Sequence, residues 1–182
     1  MKSTLLLSEL IEMTKEIASR SKKFYQLSKE ELNFKINEDK WSILECLEHL
    51  NRYGDFYLPE IENSIQNSKK PIEDEFKSGF LGNYFAKSML PKEKPNKMKT
   101  FKSMNPIGSD LDKSTLDKFI NQQETLIKLL EQAKTVNLTK NKTKISISKW
   151  IKLRLGDTFR VVIYHNLRHL IQAEKAMKEA IR

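Results

Sequence analysis

The chain has 182 residues, of which 38% are hydrophobic, and its formal net charge is +9. This length supports one domain with a substantial core, which we predict to span residues 1–182, and no apolar run approaches the roughly 20 residues of a membrane-spanning helix. The positive charge raises nucleic acid as a partner, but helix-turn-helix, zinc-finger and single-strand-binding signatures are absent, so we predict neither a nucleic acid nor a membrane as partner.

Apolar residues at helical spacing predict a first helix over residues 5–27. Its opening run of three leucines is followed by Glu9 and Glu12, which favours an amphipathic helix over a signal peptide. The chain's single cysteine cannot form an internal disulfide and fits a reducing environment, so we predict a cytoplasmic protein. The SKEEL sequence that follows offers a short helix, because Ser28 and Glu31 stand in capping-box positions.

A second main helix is predicted to begin after Trp41, where Ser42 and Glu45 form another capping-box pattern. An apolar stripe at helical spacing then continues to about residue 65. Pro59 lies within this stripe and cannot donate a backbone hydrogen bond, so the helix either ends early or kinks there. Because the pattern resumes beyond the proline, we predict a kinked helix.

Residues 69–110 are the least regular part of the chain, with four of its five prolines and many lysines. A short helix is predicted over residues 79–90. The rest of this segment reads as a long crossover, which could lie over a site or simply join distant helix ends.

Two further long helices are predicted, one over residues 113–133 and one from Asp157 to the end of the chain, with Asp157 as its N-cap. Between them, TKISISKWIKL alternates polar and apolar residues and could be a strand. It has no obvious partner strand, so an extended connector is an equal alternative. Four long helices without a repeat predict an all-α four-helix bundle, with the crossover between the second and third main helices.

The chain has only three histidines, and they are the candidate functional residues. His165 and His169 are four residues apart, so they project only about 40° apart from the last helix. His49 lies at the edge of the apolar stripe of the second main helix. Two helices packed side by side could turn all three imidazoles into one cleft. They could equally be separate core or rim histidines, since nothing in the periodicity makes His49 face the other two.

Three neutral imidazoles suit zinc, nickel or another borderline divalent ion. Three protein ligands also leave one coordination position open, whereas structural zinc sites usually have four protein ligands. Such a set therefore indicates a reactive metal site. A thiol or water bound to such an ion would be deprotonated near neutral pH.

Two sequence windows, KWSILECLEHL and LGDTFRVVIYHNLRHLIQAEKA, resemble the DinB/YfiT-like family, which is distinct from the DNA polymerase that shares the name. That family is described as a four-helix bundle with a divalent metal on three histidines, one from the second helix and two from the last. The resemblance implies His49, His165 and His169 as the metal ligands. Gln172 matches a glutamine often seen after the last histidine, so it is assigned as a cofactor-binding residue, with a place on the rim as the alternative.

The resemblance also implies an activity, because characterised members look like transferases that use small thiols such as bacillithiol or mycothiol, and related isomerases. It implies a metal-dependent S-transferase or related hydrolase with zinc or nickel, a low-molecular-weight thiol, a small-molecule substrate and a homodimer. The metal would hold the thiol as thiolate for attack on an electrophile. Crossover lysines could help bind an anionic thiol, although surface solvation is the favoured role for most of them. A non-catalytic, stress-related module that binds a metal or ligand is the alternative, because no clear acid, base or nucleophile accompanies the histidines.

Four further residues are predicted to have structural roles. Glu45 could orient an imidazole, but its capping-box role is favoured. Cys46 could approach the metal, but a lone cysteine in an apolar stripe is more often a small core residue. Trp41 is expected to pack at the base of the second main helix, and Asp157 is better explained as a helix cap than as a ligand.

Overall fold

The computed structural model of the protein describes residues 1–91 and 100–181, apart from the side chain of Lys149. Six α-helices lie in these residues: α1 Ser3–Ser21, α2 Lys29–Asn33, α3 Ile43–Gln66, α4 Phe80–Met89, α5 Lys113–Gln132 and α6 Leu155–Ala180. Two strands form a small sheet, β1 Lys142–Ile145 and β2 Ser148–Arg154. Short 3-10 turns cover Lys22–Gln26, Lys102–Met104 and Ala133–Thr135.

The four long helices form the predicted bundle. Helix α3 packs against α5 and α6, and α1 packs against the same two helices on the other side. Their apolar stripes meet in one core, in which Leu10, Ile17, Leu47, Phe119 and Phe159 are almost completely buried. The all-α bundle predicted from helical periodicity is therefore confirmed. None of the helices in the described residues combines the length and the apolar composition needed to cross a bilayer.

Local sequence signals place most helix ends correctly. Ser28 and Glu31 form a reciprocal capping box at α2, and Ser42 and Glu45 form another at α3. The first predicted helix is divided in two, because α1 ends at Ser21 and a 3-10 turn continues the chain to Gln26. Helix α3 continues through Pro59, so the proline does not end it.

The alternating segment after α5 is a β-hairpin. Strand β1 pairs with β2 in antiparallel register, with Thr143 opposite Leu153 and Ile145 opposite Ser148. The strand alternative is thus confirmed. The segment forms two strands that pair with each other, so the partner strand lies within the segment itself. Only Ser146 and Ile147 separate the paired ends, and neither is the glycine or asparagine that usually marks such a turn, so the sequence carries no hairpin signal there.

A second, smaller core lies where the hairpin and α4 pack against α6. It contains Ala86 from α4, Ile145 and Leu153 from the hairpin, and Val161 from α6. The hairpin is also joined to α6 by a hydrogen bond of 2.7 Å between the hydroxyls of Thr143 and Thr158. These additions to the bundle build the walls of the cavity described below.

Asp157 is not the N-cap of the last helix, as the sequence led us to expect. Helix α6 begins two residues earlier, because the backbone N–H groups of Leu155 and Gly156 donate to the carbonyls of Asn141 and Leu138. This leaves Asp157 inside the first turn, where its buried carboxylate accepts from the backbone N–H of Gly79 at 2.8 Å. It therefore holds the start of α4 against α6.

Gly82 provides the close approach between α4 and α6. A Cβ atom at this position would overlap the Asp157 carboxylate. That carboxylate cannot move aside easily, since Ser78, the N–H of Gly79 and Arg160 all donate to it. Only glycine lets the two helices meet here.

We predict that Gly82→Ala lowers the free energy of unfolding by about 1–3 kcal/mol, the usual cost of overpacking a tight contact. Chemical denaturation measures this change, and faster amide hydrogen exchange in α4 locates it. Lys87→Ala, on the exposed face of the same helix, is the matched control and should change stability by less than about 0.5 kcal/mol. Equal stability of the two variants would contradict the prediction.

Candidate metal centre and adjoining cavity

The three histidines lie together at the contact between α3 and α6. His49 comes from α3 and is 3% exposed, whereas His165 and His169 come from α6 and are half-buried. One candidate ligand nitrogen from each imidazole lies within 4.8 Å of the other two. The question that periodicity left open is resolved, because His49 faces the pair on the last helix.

Hydrogen bonds on the far side of two rings orient them. The Nδ1–H of His49 donates to the backbone carbonyl of Met104 at 2.7 Å, and the Nδ1–H of His169 donates to Oε1 of Gln172 at 3.0 Å. Since both partners are oxygens that can only accept, each Nδ1 carries the proton and each Nε2 keeps a lone pair. Both Nε2 atoms are therefore available as metal ligands.

The spacing of two of the nitrogens fits a divalent ion. Two nitrogens about 2.1 Å from a tetrahedral ion lie about 3.4 Å apart. The Nε2 atoms of His49 and His165 are 3.3 Å apart. This pair has the spacing of two ligands of one ion, and the third imidazole lies close enough to join them around zinc, nickel or a similar ion.

Burial keeps the imidazoles neutral. It lowers the pKa of His49 to about 4 and that of His169 to about 3. Burial also lowers the pKa of His165 well below its ordinary value, and the neighbouring His169 and His49 add to this effect. Neutral rings are the form that binds a metal, since protonation would occupy the nitrogen lone pair.

Two aromatic side chains pack around the imidazoles. Trp41, just before the N-cap of α3, lies 4.7 Å from His49 and 5.6 Å from His169 between ring centroids. Tyr53, one turn after His49, makes edge contacts with His49 at 4.9 Å and with His165 at 4.8 Å. Trp41 thus packs at the base of the helix as expected, and it also helps fix the positions of two histidines.

The C-terminal part of the crossover is held on α3 by Arg52. Its guanidinium donates to the carbonyl of Asn105 at 2.7 Å and to the hydroxyl of Ser109 at 3.0 Å, and it pairs with Glu48 at 2.8 Å. These contacts place Met104 where its carbonyl reaches His49. The crossover therefore touches the site, while residues 92–99, where several of the lysines proposed to bind an anionic thiol lie, are outside the described residues.

A cavity of about 380 Å³ adjoins the three imidazoles. Its wall comes from α3, α4, the hairpin, α6 and the crossover after residue 99, and it includes all three histidines. Most of the other wall residues are aromatic or aliphatic, among them Tyr53, Tyr57, Phe85, Met89, Leu153 and Val161. Neither aspartate, glutamate nor cysteine is among the described residues that form the wall.

Among the other candidate residues, Cys46 and Glu45 lie away from this centre, whereas Gln172 contacts it. Cys46 is completely buried in the bundle core, where burial raises the pKa of its thiol, so it fits the core role. The Glu45 carboxylate is used in the capping box of α3 and also pairs with Lys35 at 3.2 Å. Gln172 contacts a histidine and is absent from the described cavity wall, so its role toward a cofactor stays a prediction.

Sequence reasoning missed two contributors. Tyr53 follows His49 by one helical turn, and this i, i+4 spacing could have identified it. Met104 acts through its backbone carbonyl, which no residue pattern reveals.

We predict that Gln172→Ala weakens binding of zinc by about 10- to 100-fold, the usual effect of losing a partner that is hydrogen-bonded to a metal-ligating histidine. Competition with a chromophoric chelator measures the affinity. Lys175→Ala, one turn away on the exposed side of α6, is the matched control and should bind zinc like the parent protein. If both variants bind zinc equally well, Gln172 does not orient a ligand.

Comparison with known proteins agrees with this fold. The family model of the DinB superfamily matches residues 20–173, which is most of the chain and includes all three histidines. No curated protein and no solved structure matches the chain. On the strength of the family match, this four-helix protein belongs to the DinB superfamily.

Proposed function

We propose that this protein is a divalent-metal-dependent enzyme that transfers a low-molecular-weight thiol to a small electrophile. The observation that supports the proposal is the group of three neutral imidazoles beside a cavity of about 380 Å³. Three protein ligands leave room for a further ligand on the ion, and the cavity offers space for a second reactant. A related hydrolase, in which water replaces the thiol, would use the same arrangement.

Different residues of this chain would bind the ion, orient its ligands and surround the electrophile. His49, His165 and His169 would hold the ion, and zinc or nickel suits three nitrogen donors. When bound, such an ion keeps a thiol or water ligand deprotonated near neutral pH. Met104 and Gln172 would keep two imidazoles in the orientation that presents Nε2. The apolar wall would exclude water from the electrophile.

We predict that His49→Ala abolishes stoichiometric metal binding. Loss of a ligand should weaken affinity by more than the roughly 10- to 100-fold expected for the loss of a partner outside the ligand set. Elemental analysis of purified protein, with zinc or nickel supplied, gives the metal content. Glu62→Ala, on the exposed face of the same helix, is the control and should keep its metal. Unchanged metal content in a folded His49→Ala protein would eliminate the proposed site.

A non-catalytic metal- or ligand-binding module is the second candidate. One observation favours it: the described cavity wall has neither a carboxylate nor a thiol that could act as a base or nucleophile. Metal-loaded protein offered a panel of thiols and electrophiles separates the two candidates. Turnover that is lost on chelation supports the enzyme, and its absence across the panel supports the module. The homodimer and the cytoplasmic location stay predictions.

A further inference from the structure

Arg52 joins α3 to the crossover through a fork of hydrogen bonds. Its Nη1 donates to the backbone carbonyl of Asn105 at 2.7 Å and, more weakly, to that of Ser103 at 3.5 Å, and its Nη2 donates to the hydroxyl of Ser109 at 3.0 Å. Its Nε donates to Glu48, one turn earlier on α3, at 2.8 Å. Because the guanidinium is planar and always charged, it serves all of these acceptors in one fixed arrangement, which a lysine cannot do.

The same short segment of the crossover contacts both the candidate metal centre and the cavity. A 3-10 turn over Lys102–Met104 is closed by a hydrogen bond of 2.9 Å from the Met104 N–H to the Phe101 carbonyl. The Met104 carbonyl accepts from the Nδ1–H of His49 at 2.7 Å, and Phe101 belongs to the cavity wall. A displacement of this turn would therefore change the partner of a candidate ligand and the shape of the wall together.

We propose that Arg52 is a positioning residue that couples metal binding at the three histidines to closure of the cavity wall by Thr100 and Phe101. Docking of residues 100–109 on α3 and binding of the metal each favour the other. The wall is then less firmly closed in the metal-free protein, and loading with metal completes the cavity. The inference rests on the proposed function, because it concerns the regulation of that same site.

The coupling arises at the His49 ring. A neutral imidazole carries its proton on one of its two nitrogens, and the nitrogen that binds a metal must be the other one. With the Met104 carbonyl in place, the proton is held on Nδ1 and Nε2 keeps its lone pair, whereas without that carbonyl the ring loses this preference. In the other direction, an imidazole that gives its lone pair to a cation donates more strongly from Nδ1, so its bond to Met104 strengthens.

Arg52 holds the backbone on both sides of Met104. The carbonyls of Ser103 and Asn105 flank this residue in the chain, and both accept from the same guanidinium nitrogen. A charged donor makes hydrogen bonds roughly twice as strong as neutral ones, and the Arg52 side chain is only 27% exposed, so water competes weakly for it. A purely structural role for Arg52 is the alternative, and it predicts a looser crossover with unchanged metal affinity.

We predict that Arg52→Ala weakens zinc binding by about 10-fold, the lower end of the range for a partner that orients a metal ligand, because Arg52 acts through Met104. Competition with a chromophoric chelator measures the affinity of each variant. Arg52→Lys keeps the charge but not the fork, so its affinity should lie between those of Arg52→Ala and the parent protein. Lys118→Ala is the matched control, since it removes a cation that pairs with Asp55 of α3 at 2.7 Å, and it should bind zinc like the parent protein.

Amide hydrogen exchange measures the same coupling from the side of the crossover. By linkage, zinc must stabilise docking of the crossover by the factor by which docking strengthens zinc binding. We therefore expect zinc to slow exchange at the Met104 and Asn105 amides of the parent protein by at least the factor by which Arg52→Ala weakens zinc. Amides in the middle of α5 report any change in global stability and serve as the internal reference.

The cavity wall has a readout of its own. Fluorine NMR of protein with 4-fluorophenylalanine at position 101 reports the surroundings of this ring. We expect zinc to shift the resonance, and we expect Arg52→Ala to shift it in the metal-free protein, because both change how firmly the turn is docked. A resonance that stays in place while zinc binds would contradict closure of the wall.

Two further results would overturn the inference: equal zinc affinity of folded Arg52→Ala and the parent protein, or unchanged exchange at Met104 when zinc binds. Neither touches the proposed function, which is contradicted by unchanged metal content in folded His49→Ala. The exchange measurement uses the parent protein, so it tests the coupling even if Arg52→Ala does not fold.

Discussion

The contact between α3 and α6 is the constraint on which the candidate centre depends. Leu47 and Leu50 on α3, and Phe159, Ile163 and Leu170 on α6, are at most 2% exposed. Each such side chain contributes roughly 1.5–3 kcal/mol on burial, so packing in the shared core stabilises the two helices in one register. That register brings His49 to the pair on α6, although 116 residues separate it from His165. Burial then keeps the imidazoles neutral, which is the state a metal requires.

The site is polar on one side and apolar on the other. Behind the imidazoles, the Met104 carbonyl and the Gln172 amide oxygen accept hydrogen bonds and turn both Nε2 atoms inward. In the cavity, tyrosine, phenylalanine and aliphatic side chains form most of the wall. This division places a group of imidazoles that could hold an ion beside a mostly apolar space.

The elements outside the bundle complete the cavity. Helix α4 runs parallel to α6, since Gly79, Asn83 and Ser88 in turn contact Asp157, Arg160 and Arg168. The hairpin packs on the same face of α6. On α3, Arg52 holds the end of the crossover in place. The bundle supplies the histidines and part of the wall, and these attached segments complete it.

The sequence by itself determined the helices, both capping boxes and the shared face of His165 and His169, because these depend on contacts within a few residues. Only the tertiary structure decided that His49 faces that pair, since helix periodicity defines a face but not its neighbour. It also decided the partner of β1, the hydrogen bond from the Gly79 N–H to Asp157, and the roles of Met104 and Tyr53. Each of these contacts joins residues from different elements, and some of them involve a backbone atom. Such contacts follow from how the elements pack, and residue spacing along one element carries little information about them.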